Sequence, residues 1–148
     1  MNNSSVNVDP ILDEIMSLGK GLQLSLNKEN IRQFLIKEIN GDGLTDYLVI
    51  SAFLSKDKEG LLVYVLTTAK IVKIQIDKNS NLESYGAYLK EVTGVNRKLV
   101  SSSVGNNAQV VVDFSHGSFG LQYPTNQSNI DTFFQKVDQA VGKIKAAS

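Results

Sequence analysis

The most chemical-looking stretch of the chain is Glu38-Ile39-Asn40-Gly41-Asp42-Gly43-Leu44-Thr45-Asp46, which sets oxygen-bearing side chains at alternate positions around a glycine-rich turn. Calcium takes about six to eight oxygen ligands, and the loops of EF-hands and of propeller repeats gather them with this kind of spacing. Here Glu38 stands in the first position, where such loops normally carry Asp, and Val49 stands where an EF-hand places its bidentate Glu. Without that ligand, Asn40, Asp42 and Asp46 predict at most a weak calcium site that orders the loop. The simpler expectation is an exposed connector between a helix and the first strand.

The single histidine, His116, lies between Ser115 and Gly117, with Asp113 two strand positions before Ser115. A Ser–His–Asp set can be drawn from these residues, but the sequence supplies neither an oxyanion hole nor a rigid nucleophile turn. The expected role of His116 is the tip of a tight hairpin. The basic residues of the LSKDKEGLL loop, Lys56 and Lys58, alternate with Asp57 and Glu59, so the loop has no net charge to hold a lipid phosphate. Lys70, Lys73, Lys78, Arg97 and Lys98 read equally well as solvated strand ends or as one basic rim. No G-x-G-x-x-G or G-x-x-x-x-G-K-[ST] pattern offers a nucleotide cradle. No residue is therefore assigned as catalytic, cofactor-binding or metal-ligating, and no cofactor is expected.

Bulk composition narrows the classes further. Lys and Arg number 15 against 15 Asp and Glu, which leaves no net field to hold nucleic acid or an anionic membrane. The absence of cysteine removes disulfides, thiolate metal sites and a Cys nucleophile together, and is compatible with a reducing cytosol. The opening MNNSSVNVDP has no Lys or Arg and no continuous apolar core, unlike a secretory or transit peptide. The longest apolar stretches, Tyr47–Leu54 and Leu61–Leu66, fall well short of the roughly 20 residues a spanning helix needs. A cytoplasmic protein is the expectation.

These residues must be positioned by elements whose signals are mostly clear. Asp9 before Pro10 starts a helix, because Asp can cap free N–H groups and Pro has none to satisfy. Ile11, Leu12, Ile15 and Met16 share its face, and Gly19 is placed to end it. In Asn30–Ile39 the spacing of Ile31, Phe34, Leu35 and Ile39 favours a helix stopped by Gly41. Alternation of Arg32, Phe34, Ile36 and Glu38 along a strand is the competing pattern. From Leu44 onward β-branched and aromatic residues dominate short runs. The predicted strands are Asp46–Leu54, Leu61–Thr67, Lys70–Asp77, Tyr85–Gly94, Lys98–Val104, Ala108–Ser115 and Ser118–Tyr123. Their short connectors KDKEG, KNSN, VGNN and HGS argue for consecutive antiparallel hairpins. After Pro124, Ser128 or Asn129 can cap a last helix. Asp131 suits its first turn, Lys143 and Lys145 its last, and Ile130, Phe133, Phe134, Val137, Val141 and Ile144 form one apolar stripe. Phe53, Tyr64, Phe114, Phe119, Phe133 and Phe134 are predicted core aromatics.

The runs VYVLTTAKIVKIQID (Val63–Asp77), YGAYLKEVTGVNRK (Tyr85–Lys98) and the ending VVVDFSHGSFGLQYPTNQSNIDTFFQKVDQAV resemble the hairpins and closing helix of bacterial pleckstrin-homology-like (PH-like) domains. The resemblance spans roughly residues 30 to 146 and rests on element order and apolar pattern. It implies an α+β, mainly β fold: a PH-like antiparallel barrel of about seven strands, a C-terminal amphipathic helix and N-terminal helical segments. A helix-flanked sheet of the secretion-chaperone type is the alternative. The chain is read as a tail and short helix over 1–29 and a PH-like domain over 30–148. The function expected is a non-enzymatic binding or assembly module, acting by protein–protein contact or homo-oligomer formation through strand edges. The alternatives are the weak calcium module of Glu38–Asp46 and a membrane-surface adaptor binding anionic lipid through Lys56 and Lys58. A protein partner or self-association is expected, and nucleic acid is not.

Overall fold

A computed structural model of the chain describes residues 7–39, 41–55, 58–102 and 105–147. The elements run α1 (Asp9–Gly21), α2 (Lys28–Ile39), β1 (Leu44–Ser55), β2 (Lys58–Thr67), β3 (Lys70–Ile76), β4 (Leu82–Tyr88), a 3-10 turn (Leu89–Glu91), β5 (Val92–Ser102), β6 (Gly105–Phe114), β7 (Gly117–Pro124) and α3 (Ser128–Ala147). The fold is α+β and mainly β. Its strands pair into a four-stranded sheet in the order β1-β2-β3-β4 and a three-stranded sheet in the order β5-β6-β7, not into one closed ring. The chain divides into two compact units, Met1–Gly86 and Ala87–Ser148.

In the first unit, Ile11, Leu12 and Ile15 of α1 and Ile31, Leu35 and Ile39 of α2 are buried against Val49, Leu61, Val63, Val65, Val72, Ile74 and Ile76. The antiparallel register puts Val49 opposite Val63 and Val63 opposite Ile74, so this face of the sheet is a continuous apolar row. Leu62, Tyr64 and Leu66, which point the other way, are buried as well. That explains why β2 reads as the unbroken run LLVYVLT and not as an alternation: a central strand buried on both faces has no polar side to mark. Each of these aliphatic side chains contributes about 1.5–3 kcal/mol by leaving water.

Local signals set the helix ends differently from expectation. The carboxylate of Asp9 caps nothing and instead pairs with Arg32 of α2. Gly19 does not end α1, which continues to Gly21. Gly19 is small because the returning chain needs the space, since a Cβ there would come within 2.3 Å of Leu26 Cδ1. The competition over Asn30–Ile39 resolves as helix, started by Asn27, whose Oδ1 accepts the Asn30 N–H at 3.1 Å. The α1–α2 linker is tied to the β3–β4 turn, as Ser25 N donates to Lys78 O and Asn27 N donates to Ser80 Oγ, each at 3.0 Å.

In the second unit, Ala108, Val110 and Val112 of β6 stand opposite Tyr123, Leu121 and Phe119 of β7. Helix α3 lies along β5 and the 3-10 turn, with Ile130, Phe133, Phe134, Val137 and Val141 buried. One predicted strand is corrected here. Tyr85–Gly94 is not continuous, because Leu89–Glu91 forms a 3-10 turn that buries Leu89, and β5 then runs through the expected gap at Val95–Arg97. Among the described residues no helix is long and apolar enough to cross a membrane.

Candidate functional site

The carboxylates of the Glu38–Asp46 stretch face different partners. Glu38 accepts a hydrogen bond from Ser84 Oγ. Asp42 Oδ2 lies 3.4 Å from Thr67 Oγ1 and 3.9 Å from Lys70 Nζ. Asp46 Oδ1 accepts the N–H of Tyr47 at 2.8 Å, and Val49 is buried in the apolar core. Asn40 lies outside the described residues. Gly41 takes a positive φ of 81°, which suits glycine in the turn out of α2. Among the described residues no group of three His, Asp or Glu side chains is gathered as a metal site would need.

This stretch instead docks on the β2–β3 hairpin. Thr67, the buried polar residue of β2, uses Oγ1 to accept the N–H groups of Ala69 at 3.1 Å and Lys70 at 3.0 Å. Its hydroxyl also lies 3.2 Å from Lys70 O, so one side chain closes the turn. Thr68 N donates to Gly43 O at 2.9 Å, which ties that turn to the loop entering β1.

At the β6–β7 turn, Ser115 Oγ is 3.0 Å from His116 Nδ1, and Glu91 Oε2 is 3.9 Å from the same nitrogen. Asp113 is turned away and accepts from Asn96 Nδ2 at 3.2 Å. A catalytic relay needs the base to meet its acid and its nucleophile through opposite ring nitrogens. Here both face Nδ1, and the exposed ring packs edge-on to Phe114 at 5.3 Å. The arrangement fixes a hairpin tip.

The basic residues are spread along their strands. Lys70 opens β3 beside Asp42, Lys73 is half-buried with its amine pKa lowered by burial, and Lys78 lies in the turn beyond. Lys56 lies outside the described residues. Arg97 and Lys98, adjacent on β5, point to opposite faces. Arg97 Nη2 is 2.5 Å from Asp131 Oδ1, which also accepts from Tyr123 Oη at 2.5 Å. Burial first, and then the Asp131 hydrogen bond, push the Tyr123 phenol above its ordinary value, with Arg97 opposing. This Arg97–Tyr123–Asp131 cluster pins the start of α3 to the sheet. Only Asp131 carried a local signal, as an acid in the first helical turn. Arg97 comes from β5, 34 residues away, and Tyr123 from the end of β7, 8 residues away, and neither carries a local signal that pairs it with Asp131.

Strand order also fixes which strands lie at the edges of each sheet. β1 and β4 bound the first sheet, β5 and β7 the second. Phe53 on β1 and Leu99 on β5 are 72% and 76% exposed. Phe53 corrects the core assignment made for it, whereas Tyr64, Phe119, Phe133 and Phe134 are buried and Phe114 partly so. The reason lies in length. Residues of one parity on β1 face the helices, and burial at Val49 gives way to exposure at Ser51 and Phe53 as the hairpin outruns them. Comparison with protein-family models, curated proteins and solved structures finds no match to the chain.

Proposed function

We propose that this chain is a non-enzymatic binding or assembly module of PH-like type, acting in the cytoplasm by adding a strand from a protein partner or a further copy to the edge of its own sheet. Seven antiparallel strands, taken as four and then three and followed by an amphipathic C-terminal helix, follow the element order on which the PH-like resemblance rests. The observation that carries the functional reading is β1: a 12-residue outer strand whose exposed end presents Phe53 at 72% exposure. Outer strands offer backbone N–H and C=O groups to an added strand, and side chains on alternate positions supply its specificity. Light scattering across a concentration series tests the assembly branch of this reading. A mass that climbs above one chain is expected, and a strictly monomeric mass at the highest concentration counts against assembly.

A further inference from the structure

The four outer strands differ in what they offer to a partner. β5 carries Lys98 on one face and, on the other, Arg97 with its partner Asp131, so charge stands on both faces of that edge. β4 is only 7 residues long and carries Glu83 and Gly86. β7 spans 8 residues and ends in Pro124, which has no N–H to give. β1 is the longest, and from Tyr47 to Ser55 it has no charged residue, no proline and no glycine. Charges, prolines and short length are the usual means by which sheets keep an edge from pairing with its own kind. This edge lacks all three over its exposed half.

Pairing of β1 with β2 is regular from Asp46 to Phe53, and the irregularities fall outside it, between Leu44 and Asp46 and between Phe53 and Ser55. Leu54 folds over Gly60, where an added Cβ would meet Leu54 Cδ1 at 2.7 Å and Ile76 O at 2.5 Å. Leu54 thus packs inward while Phe53 stands out.

We infer that β1 pairs antiparallel with β1 of a second copy of this chain, about a two-fold axis passing near Ser51, which joins two four-stranded sheets edge to edge. The inference rests on the assembly reading above and names its surface and its partner. In that register Phe53 lies beside Val49 of the second copy, Leu54 beside Leu48 and Ala52 beside Ile50. Apart from Ser51, which meets its own copy on the axis, these neighbours are apolar, and the exposed phenyl ring gains an apolar neighbour along the edge. A two-fold interface of this kind is closed, so it gives a dimer and not a fibre.

The chain has no cysteine, so a single introduced thiol reports its own neighbourhood. Ser51→Cys places two thiols across the axis, where opposed residues in antiparallel strands sit about 4.5–5.5 Å apart, within disulfide reach. Ser101→Cys on β5 tests the competing edge, and Ser17→Cys on the exposed face of α1 measures random collision. Each full-length variant is oxidised gently and its dimer fraction read, alongside light scattering of the unsubstituted chain. The expected result is a dimer mass with Ser51→Cys cross-linking well above Ser17→Cys. Phe53→Lys, at a site too exposed to affect folding, is expected to weaken association about ten-fold or more. Cross-linking through Ser101→Cys with Ser51→Cys at the collision level overturns the β1 assignment and leaves assembly standing. A monomer mass with all three variants at the collision level overturns both.

Discussion

Thr67→Val is the most pointed test of how the β2–β3 hairpin holds the loop that enters β1. Valine has the shape of threonine and an equal liking for strands, so the substitution leaves neither a cavity nor a propensity penalty. It removes one acceptor shared by the N–H groups of Ala69 and Lys70, at 3.1 and 3.0 Å. Both residues are half-buried, so water recovers part of what is lost. At about 1 kcal/mol for each of the two bonds the cost is about 2 kcal/mol. Thr67→Ser keeps the hydroxyl and gives up one buried methyl, at about 1 kcal/mol. Urea unfolding measures both, read as a lower midpoint at unchanged slope. Hydrogen exchange at the Ala69 and Lys70 amides separates the causes: protection is lost in the valine variant and kept in the serine variant. A valine variant as stable as the unsubstituted chain, with both amides still protected, refutes the assignment.

Gly60→Ala drives a Cβ into the Ile76 carbonyl at 2.5 Å and is expected to cost about 1–3 kcal/mol, whereas Gly142→Ala, in the exposed face of α3 with nothing within 4 Å, is expected to gain about 0.5–1 kcal/mol. Thermal melts of the pair should move in opposite directions. Tyr123 is harder to ionise folded than unfolded, so its stabilisation is whole below the unfolded value near pH 10 and is lost as pH rises through the folded one. The stability gap between the unsubstituted chain and Tyr123→Phe should therefore narrow above about pH 10, and a gap that stays constant there contradicts the cluster. At Asp77, slight desolvation raises the carboxyl, but hydrogen bonds from the Asn81 side chain and from the Asn81 and Asn79 backbones, with Lys58 nearby, outweigh it and lower the pKa. Its contribution is present above the unfolded value near pH 4 and is lost as pH falls through the folded one, so the Asn79 and Asn81 amide resonances should titrate only below about pH 4.

Elements with local causes were legible in the sequence. The β-branched runs, the turn-rich connectors and the apolar stripe of α3 marked seven strands and the last helix, because residue type and spacing record local burial, on one face in α3 and on both in β2. Asp9-Pro10 marked the start of α1, although the Asp9 side chain serves Arg32 of another helix. Causes lying far along the chain were not legible. Gly19 has the look of a helix stop and is in fact a seat for Leu26, and Leu89–Glu91 breaks a strand so that Leu89 is buried. Phe53 has the look of a core residue because residue type does not report how far a hairpin outruns the helices beside it. The Glu38–Asp46 stretch carries the spacing of a cation loop, yet Ser84 and Thr67, distant in sequence, engage its carboxylates. Balanced charge within single loops removed electrostatic recognition as a guide. The edge of β1 became visible only once strand order was known.

The central claim, strand addition at β1, is tested most directly by backbone hydrogen exchange on the unsubstituted chain at low and high protein concentration. Amides of the Ser51–Leu54 segment that point away from β2 are expected to slow as concentration rises, while those at Lys98–Val100 of β5 are expected to stay unchanged. Exchange at Ser51–Leu54 that is independent of concentration, in samples whose mass shows association, would contradict it.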